Sequence, residues 1–232
     1  MEKAISILGT RGIPARYGGF ETFAEHLALY LESKGWKVTV YCQENGGEKV
    51  YAEIWNGIRL VHIPIQRHNA LGCIIFDFKS TLLAAQDNSP ILTLGYNTAI
   101  FCLLYRLKGI PNIINMDGLE WKRKKWNVIQ KTWLYLNEWL GCWLGNKLIA
   151  DHPKIKAHLA TRVFTKKISV IPYGADLVDQ PDASICQQYN LQANQYAIVI
   201  ARAEPDNSIL EIVASFSRKK RGIKLAILGR YL

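Results

Sequence analysis

The sequence predicts an α/β chain built on a doubly wound parallel sheet. Three observations carry this. Short apolar runs of strand length alternate with helical stretches along most of the 232 residues. The first run, Ala4 to Leu8, ends at Gly9 and passes through a Gly-rich loop into a helical pattern and a second apolar run, a βαβ unit. Apolar residues make up 49% and charged residues 21%, which supplies a large core and excludes a disordered or collagenous chain.

Each element has its own reason. Ala4 to Leu8 is uniformly apolar, as a strand buried on both faces must be. Phe20, Phe23, Ala24, Leu27 and Leu31 share one helix face, Glu21 and Glu25 suit its first turn, and Gly35 stops it. Lys37 to Tyr41 and Ile58 to Ile63 read as strands, and Leu71 to Ala85 as a helix. After Pro90 come a strand, Ile91 to Leu94, and a helix, Ala99 to Leu107. After Pro111 come the strand Asn112 to Met116 and an aromatic-rich helix, Trp126 to Leu144. Leu148 to Ala150 (strand), Ile155 to Ala160 (helix) and Ile168 to Ile171 (strand) complete the run, and Pro172 closes it. The first domain is therefore expected over residues 1–172. Residues 173–195 are polar and read as a linker with one short helix. Residues 196–232 read as part of a second domain: a strand at Ala197 to Ala201, a helix at Ile209 to Phe216 with a Ser208/Glu211 capping box, and a strand at Leu225 to Leu228. One βαβ unit has too little core to fold alone, so it docks on the first domain or opens a larger second one.

Charge and cysteine content narrow the function classes. Lys and Arg total 29 against 19 acids, a formal charge of +10, which favours an anionic partner: a nucleotide, a phospholipid surface or a nucleic acid. The five cysteines lack any short spacing, which argues against a zinc site and fits a reducing compartment. The N-terminus lacks the length and cleavage site of a signal peptide, and no run reaches the ~18 apolar residues of a membrane span. The expectation is a cytoplasmic protein without a metal. No GxSxG motif or Cys–His pair supports a hydrolase.

Four segments have residues placed for chemistry. In the loop Gly9 to Gly19, Gly18 and Gly19 precede a helix, where backbone N–H groups meet a phosphate, and Arg11 and Arg16 add cationic donors. The same glycines also serve a tight turn, and neither the dinucleotide nor the Walker spacing is present. Asp117 follows a strand's carboxyl end, where a carboxylate binds a sugar hydroxyl, acts as a base or caps the next helix. Trp121, Lys122, Arg123, Lys124, Lys125 and Trp126 form a basic, aromatic-flanked run suited to an anionic membrane, to nucleic acid, or to a solvated helix face. Arg202, followed five residues later by Asn207, stands between a strand and a helix, where a cation meets an anionic ligand or simply lies on a turn.

Taken together, GTRGIPARYGGFE (9–21), NMDGLEWKRKKW (115–126), IAD (149–151), IPYGAD (171–176) and ARAEPDN (201–207) resemble the retaining glycosyltransferases with two Rossmann-like domains, the glycogen-synthase-like group called family 4. The resemblance is closest to the bacterial surface-polysaccharide enzymes with a DUF1972 domain, often described as rhamnosyltransferases. It implies a GT-B-like fold, a nucleotide-sugar donor, a lipid-linked or polysaccharide acceptor on the N-terminal side, and no metal. Carried over, Gly18, Gly19, Arg202 and Asn207 face the donor phosphates, and Asp117 stands where relatives often have a His that contacts the transferred sugar. Arg11, Arg16, Tyr17 and Glu21 lie on the acceptor side. Asn207 replaces the Lys usual in the wider group. The Glu-x7-Glu segment and base pocket of relatives are expected beyond Leu232, so a remnant that keeps only acceptor or membrane binding is the competing reading. A nucleic-acid partner rests on charge alone and is not expected.

Overall fold

Eight strands pair into one sheet; the central ones are apolar toward both faces, and the edge strand is exposed. The computed structural model describes residues 3–16, 18–67, 69–175, 177, 182, 184–202 and 204–229. The sheet strands are β1 (Ala4–Leu8), β2 (Lys37–Asn45), β3 (Tyr51–Trp55), β4 (Ile58–Ile65), β5 (Ile91–Leu94), β6 (Asn112–Asn115), β7 (Lys147–Ala150) and β8 (Ile168–Val170), in the order β3-β4-β2-β1-β5-β6-β7-β8. Every pairing is parallel except β3 with β4.

Successive strand residues feed opposite faces. Ile7 packs with Ala24, Ala28, Val38 and Leu60, whereas Leu8 packs with Phe76, Tyr105 and Ile114. Helix α1 (Gly19–Ser33) covers the first face. The second is covered by α2 (Ala70–Asp87), α3 (Leu103–Lys108), α4 (Val128–Leu144) and α5 (Pro153–Leu159). The chain runs outward from β1 to β4, then returns to β5 beside β1 and continues to β8. The strand order therefore reverses between β1 and β5.

The first unit differs from the sequence expectations at several points. β3 lacks a counterpart there; Asn56 and Gly57, both at positive φ, turn it antiparallel onto β4. The helix predicted from Ala99 begins as a 3₁₀ turn, Ala99–Cys102. The aromatic helix starts at Val128 rather than Trp126.

By contact the chain divides into two compact units, Met1–Trp121 with Val128–Tyr173, and Lys122–Asn127 with Gly174–Leu232. The second contains α6 (Ser184–Gln188), β9 (Tyr196–Ile200), α7 (Ile209–Ser217) and β10 (Lys224–Leu228), with β9 and β10 parallel. The expected Ser208 capping box is absent. Ser208 takes a left-handed backbone (φ 51°) after the 3₁₀ turn Pro205–Asn207, and its side chain caps nothing.

Candidate functional site

The loop from β1 to α1 is pressed onto the sheet by its glycines and held by one acid. A Cβ on Gly9 would collide with the Leu94 carbonyl oxygen, and one on Gly12 would lie 2.7 Å from Cys42 Sγ. Both glycines have positive φ (+82° and +122°), so only glycine fits both the backbone and the space. The Arg11 carbonyl accepts from Gln43 N–H at 2.8 Å, which ties the loop to β2. Glu21, 8% exposed, turns its carboxylate back over the helix start. Its Oε2 accepts from the N–H groups of Arg16 at 2.9 Å and Gly18 at 3.3 Å. Glu25 accepts from Ala15 N–H in the same way.

Glu21 thus makes the returning half of a capping box, its carboxylate on the Gly18 N–H, and organises the loop. Gly18, expected to offer its amide to a phosphate, already gives it to Glu21. Gly19 is exposed, with nothing within 4 Å of its Cβ position. Arg11 and Arg16 are exposed. Tyr17, and Asp176 and Ala203 of the quoted motifs, lie outside the described residues.

At the carboxyl ends of β6, β7 and β8 a second polar group assembles. Asp117 holds a left-handed backbone (φ 49°), a conformation uncommon outside glycine and one that points to a functional position when observed. Its N–H donates to Asn115 Oδ1 at 3.1 Å, and Asn115 Nδ2 donates to Tyr173 Oη at 3.1 Å. Tyr173 also meets the Phe23 ring edge-on at 5.6 Å, which connects this group to α1. Burial raises the Tyr173 hydroxyl above its usual range. The Asn115 bond opposes this, and the negative charges of Asp117 and Asp151 add to it. Asp151 Oδ1, just past β7, is buried with no hydrogen-bond partner among the described residues. Two carboxylates, an amide and a phenol gathered at neighbouring strand ends can bind hydroxyl groups. Sequence reasoning missed Asn115 and Tyr173 as site residues and noted Asp151 only within a weak motif.

The basic run is divided. Trp121 turns inward, and its indole N–H donates to the buried Glu138 at 2.9 Å while its ring meets Tyr135 edge-on. Glu138 also faces His158 Nε2 at 2.8 Å and pairs with the buried Arg162. Arg162 in turn lies 5.0 and 4.7 Å from the ring centroids of Tyr135 and Trp139. Trp121 therefore leaves the surface set expected for a membrane, because a buried carboxylate claims its N–H. Lys122, Lys124 and Lys125 are exposed, Arg123 and Trp126 half-buried, and Lys125 Nζ lies 4.7 Å above the Trp126 ring.

In the second unit Arg202 is exposed just after β9, and Asn207 Nδ2 donates to the Arg202 carbonyl at 2.8 Å. The two candidate residues are thus brought together, with Asn207 bracing the turn that carries Arg202. Among the described residues no group of three or more His, Cys, Asp or Glu could hold a metal ion. No described helix is long and apolar enough to cross a membrane.

A parallel sheet of this order, with its glycine loop and polar groups gathered at the strands' carboxyl ends, defines the Rossmann-like α/β class seen in GT-B proteins. Solved structures agree. The UDP-N-acetylglucosamine 2-epimerase of Rickettsia bellii is similar over 100% of this chain and 62% of its own (TM-score 0.59, 12% identity). That of Neisseria meningitidis, bound to UDP-GlcNAc, is similar over 99% and 66% (TM-score 0.57, 16% identity). The α,α-trehalose 6-phosphate synthase of Burkholderia multivorans is similar over 99% and 65% (TM-score 0.61, 10% identity). The chain spans less than two thirds of the length of each. No curated protein sequence matches it. The chain belongs to the family described as Domain of unknown function (DUF1972), which matches residues 2–176.

Proposed function

We propose that this chain acts in a glycosyltransferase of the GT-B class, moving a sugar from a nucleotide-sugar donor to a lipid-linked or saccharide acceptor. The observation that supports it most is the fold likeness, over nearly the whole chain, to an epimerase bound to UDP-GlcNAc and to a trehalose 6-phosphate synthase. Retention of configuration, rhamnose as the sugar and a role in cell-surface polysaccharide synthesis follow the resemblance of the motifs. So does a cytoplasmic location at the inner membrane face.

The proposed chemistry needs no protein nucleophile. The acceptor hydroxyl attacks the sugar's anomeric carbon on the face from which the diphosphate leaves, and the departing phosphate oxygen takes the hydroxyl proton. The protein positions both partners and offsets the charge that develops on the diphosphate. In this reading Gly19, on a turn shaped by Gly18, is a phosphate contact of the first unit, and Arg202, braced by Asn207, is a phosphate contact of the second. Asp117 accepts a hydrogen bond from a hydroxyl of the transferred sugar. Arg11, Arg16 and Tyr17 flank the acceptor, Glu21 holds their loop, and Lys122, Arg123, Lys124, Lys125 and Trp126 face anionic lipid. No metal is required, because amides and arginine take its place.

Calorimetric titration of the folded chain with UDP-, dTDP- and GDP-sugars tests this. Micromolar binding of one nucleotide-sugar, weakened at least tenfold by Arg202→Ala, is the expected result. A folded chain that binds none of them overturns the donor assignment.

A further inference from the structure

Where the strand order reverses, between β1 and β5, a cavity of about 100 Å³ opens beside Gly9 and Gly95. Reversal points in open α/β sheets are where ligands bind. This volume holds several water molecules or much of one sugar ring. None of the candidate residues above lines it except Gly9 of their loop.

Its lining is polar in an unusual way. Helix α2 contributes Asp77 and Thr81, the stretch after β5 contributes Asn97 and Thr98, and α3 contributes Tyr105; the Phe20 ring forms an apolar wall. The Tyr105 hydroxyl, on a residue 1% exposed, lies beside Thr81 and makes no well-formed hydrogen bond among the described residues. A buried hydroxyl without a partner is uncommon and costly, and here it borders open space. Asp77 accepts from Thr98 Oγ1 at 2.7 Å through Oδ2. Among the described residues no Lys, Arg or His lines the cavity. The titratable groups that feel the Asp77 charge are Cys102 and Tyr105, and burial raises both above their usual ranges and keeps them neutral. A half-buried, desolvated carboxyl without a counter-charge costs stability, and such groups cluster where a ligand needs them.

We propose that this cavity binds a single neutral sugar ring, with the Asp77 carboxylate and the Tyr105 hydroxyl meeting its hydroxyl groups and Phe20 lying against its carbons. Each alternative fails on chemistry. A phosphate or carboxylate finds no cation and is repelled by Asp77. A divalent metal finds one carboxylate where it needs several oxygen ligands. A purely apolar ligand would give nothing to the Tyr105 hydroxyl or to the second oxygen of Asp77. That the bound ring is the acceptor of a transfer reaction rests on the reading above; that the cavity takes a free sugar does not.

The test is amide-detected NMR of the full chain at pH 7.5, without nucleotide. It is titrated with D-glucose, D-galactose, L-rhamnose and N-acetylglucosamine, and with D-glucuronate and glucose 6-phosphate as anionic counterparts. At least one neutral sugar should saturate, moving signals from residues 77–81, 95–98 and 105. Asp77→Asn and Tyr105→Phe should each weaken it about tenfold, the loss of one hydrogen bond from a buried site. Thr81→Val provides a second probe of the wall should either variant misfold. No saturation by any neutral sugar overturns the proposal. So does tighter binding of the anionic counterparts, or affinity unchanged in all three variants. Sugar binding without nucleotide-sugar binding would remove the transferase reading and leave this site standing.

Discussion

Glu21 and Gly18 are bound to each other across the start of α1, with the Gly18 N–H donating to the Glu21 carboxylate at 3.3 Å. The same oxygen takes the Arg16 N–H, so one side chain holds the glycine loop against the helix. The first turn of α1 therefore has its negative charge supplied from within. Any phosphate that approaches must meet the loop at Gly19 or at the arginines.

Removing that acid should loosen the loop without dismantling the sheet. Glu21→Ala leaves two amides without an acceptor and should cost about 1–2 kcal/mol, with Glu21→Gln losing less. Urea unfolding measures the loss. Limited proteolysis should cut the alanine variant within residues 11–18 and spare the parent.

Asp77 carries a pH dependence whose sign is set by its burial. Its carboxyl is raised from 3.8 to about 6 by desolvation, against which the Thr98 hydrogen bond acts. The folded state thus binds the proton more tightly than the unfolded one. Stability from this group is full below about pH 4, falls as pH rises to about 6, and is level beyond. Asp77→Asn removes the ionisation. The variant should match the parent below pH 4 and exceed it at pH 7.5 by on the order of 1–3 kcal/mol. Denaturation midpoints across this range decide it; a less stable variant at pH 7.5 would contradict the assignment.

Glu138 should be among the least replaceable side chains. It is 1% exposed and receives Trp121, His158 and Arg162 together. Glu138→Gln strands the buried Arg162 and should cost about 3–5 kcal/mol. Adding Arg162→Met should recover a substantial part, because the partner charge leaves with it. A double-mutant cycle in urea measures the coupling.

On the proposed membrane role, lipid binding should distinguish the exposed lysines from the inward tryptophan. Replacing Lys122, Lys124 and Lys125 by Ala should reduce partitioning onto phosphatidylglycerol vesicles about hundredfold, at roughly 1 kcal/mol per charge. Trp121→Phe should leave partitioning unchanged, since the ring is packed on Tyr135. Sedimentation with vesicles at low and high salt reads both. Equal loss in the two variants would contradict this division.

Much of the first unit was legible in the residues. Ile91–Leu94 and Asn112–Asn115 are apolar runs introduced by prolines, and Lys147–Ala150 and Ile168–Val170 are short enough to admit only strands. Strand β3 was harder, because its residues Tyr51 to Ile54 are exposed and present no buried face. Its one clear sign is the Asn56–Gly57 turn. The Ser208/Glu211 pattern matched a capping box, yet the 3₁₀ turn before it forces Ser208 into a conformation that cannot cap. The working box, Gly18 with Glu21, lacks the hydroxyl that announces one.

By itself, the sequence determined the α/β class, the glycine loop after β1 and the strand-end place of Asp117, because these depend on residues within one or two turns of one another. Only the tertiary structure decided that Glu21 claims the Gly18 amide and that Trp121 faces Glu138. The same holds for Asn115 meeting Tyr173, fifty-eight positions on. Asp77 is an acid within an apolar stretch of helix until the strand order brings Thr98 and Tyr105 to it. Burial and partnership are properties of packing, and packing joins residues that no local pattern relates.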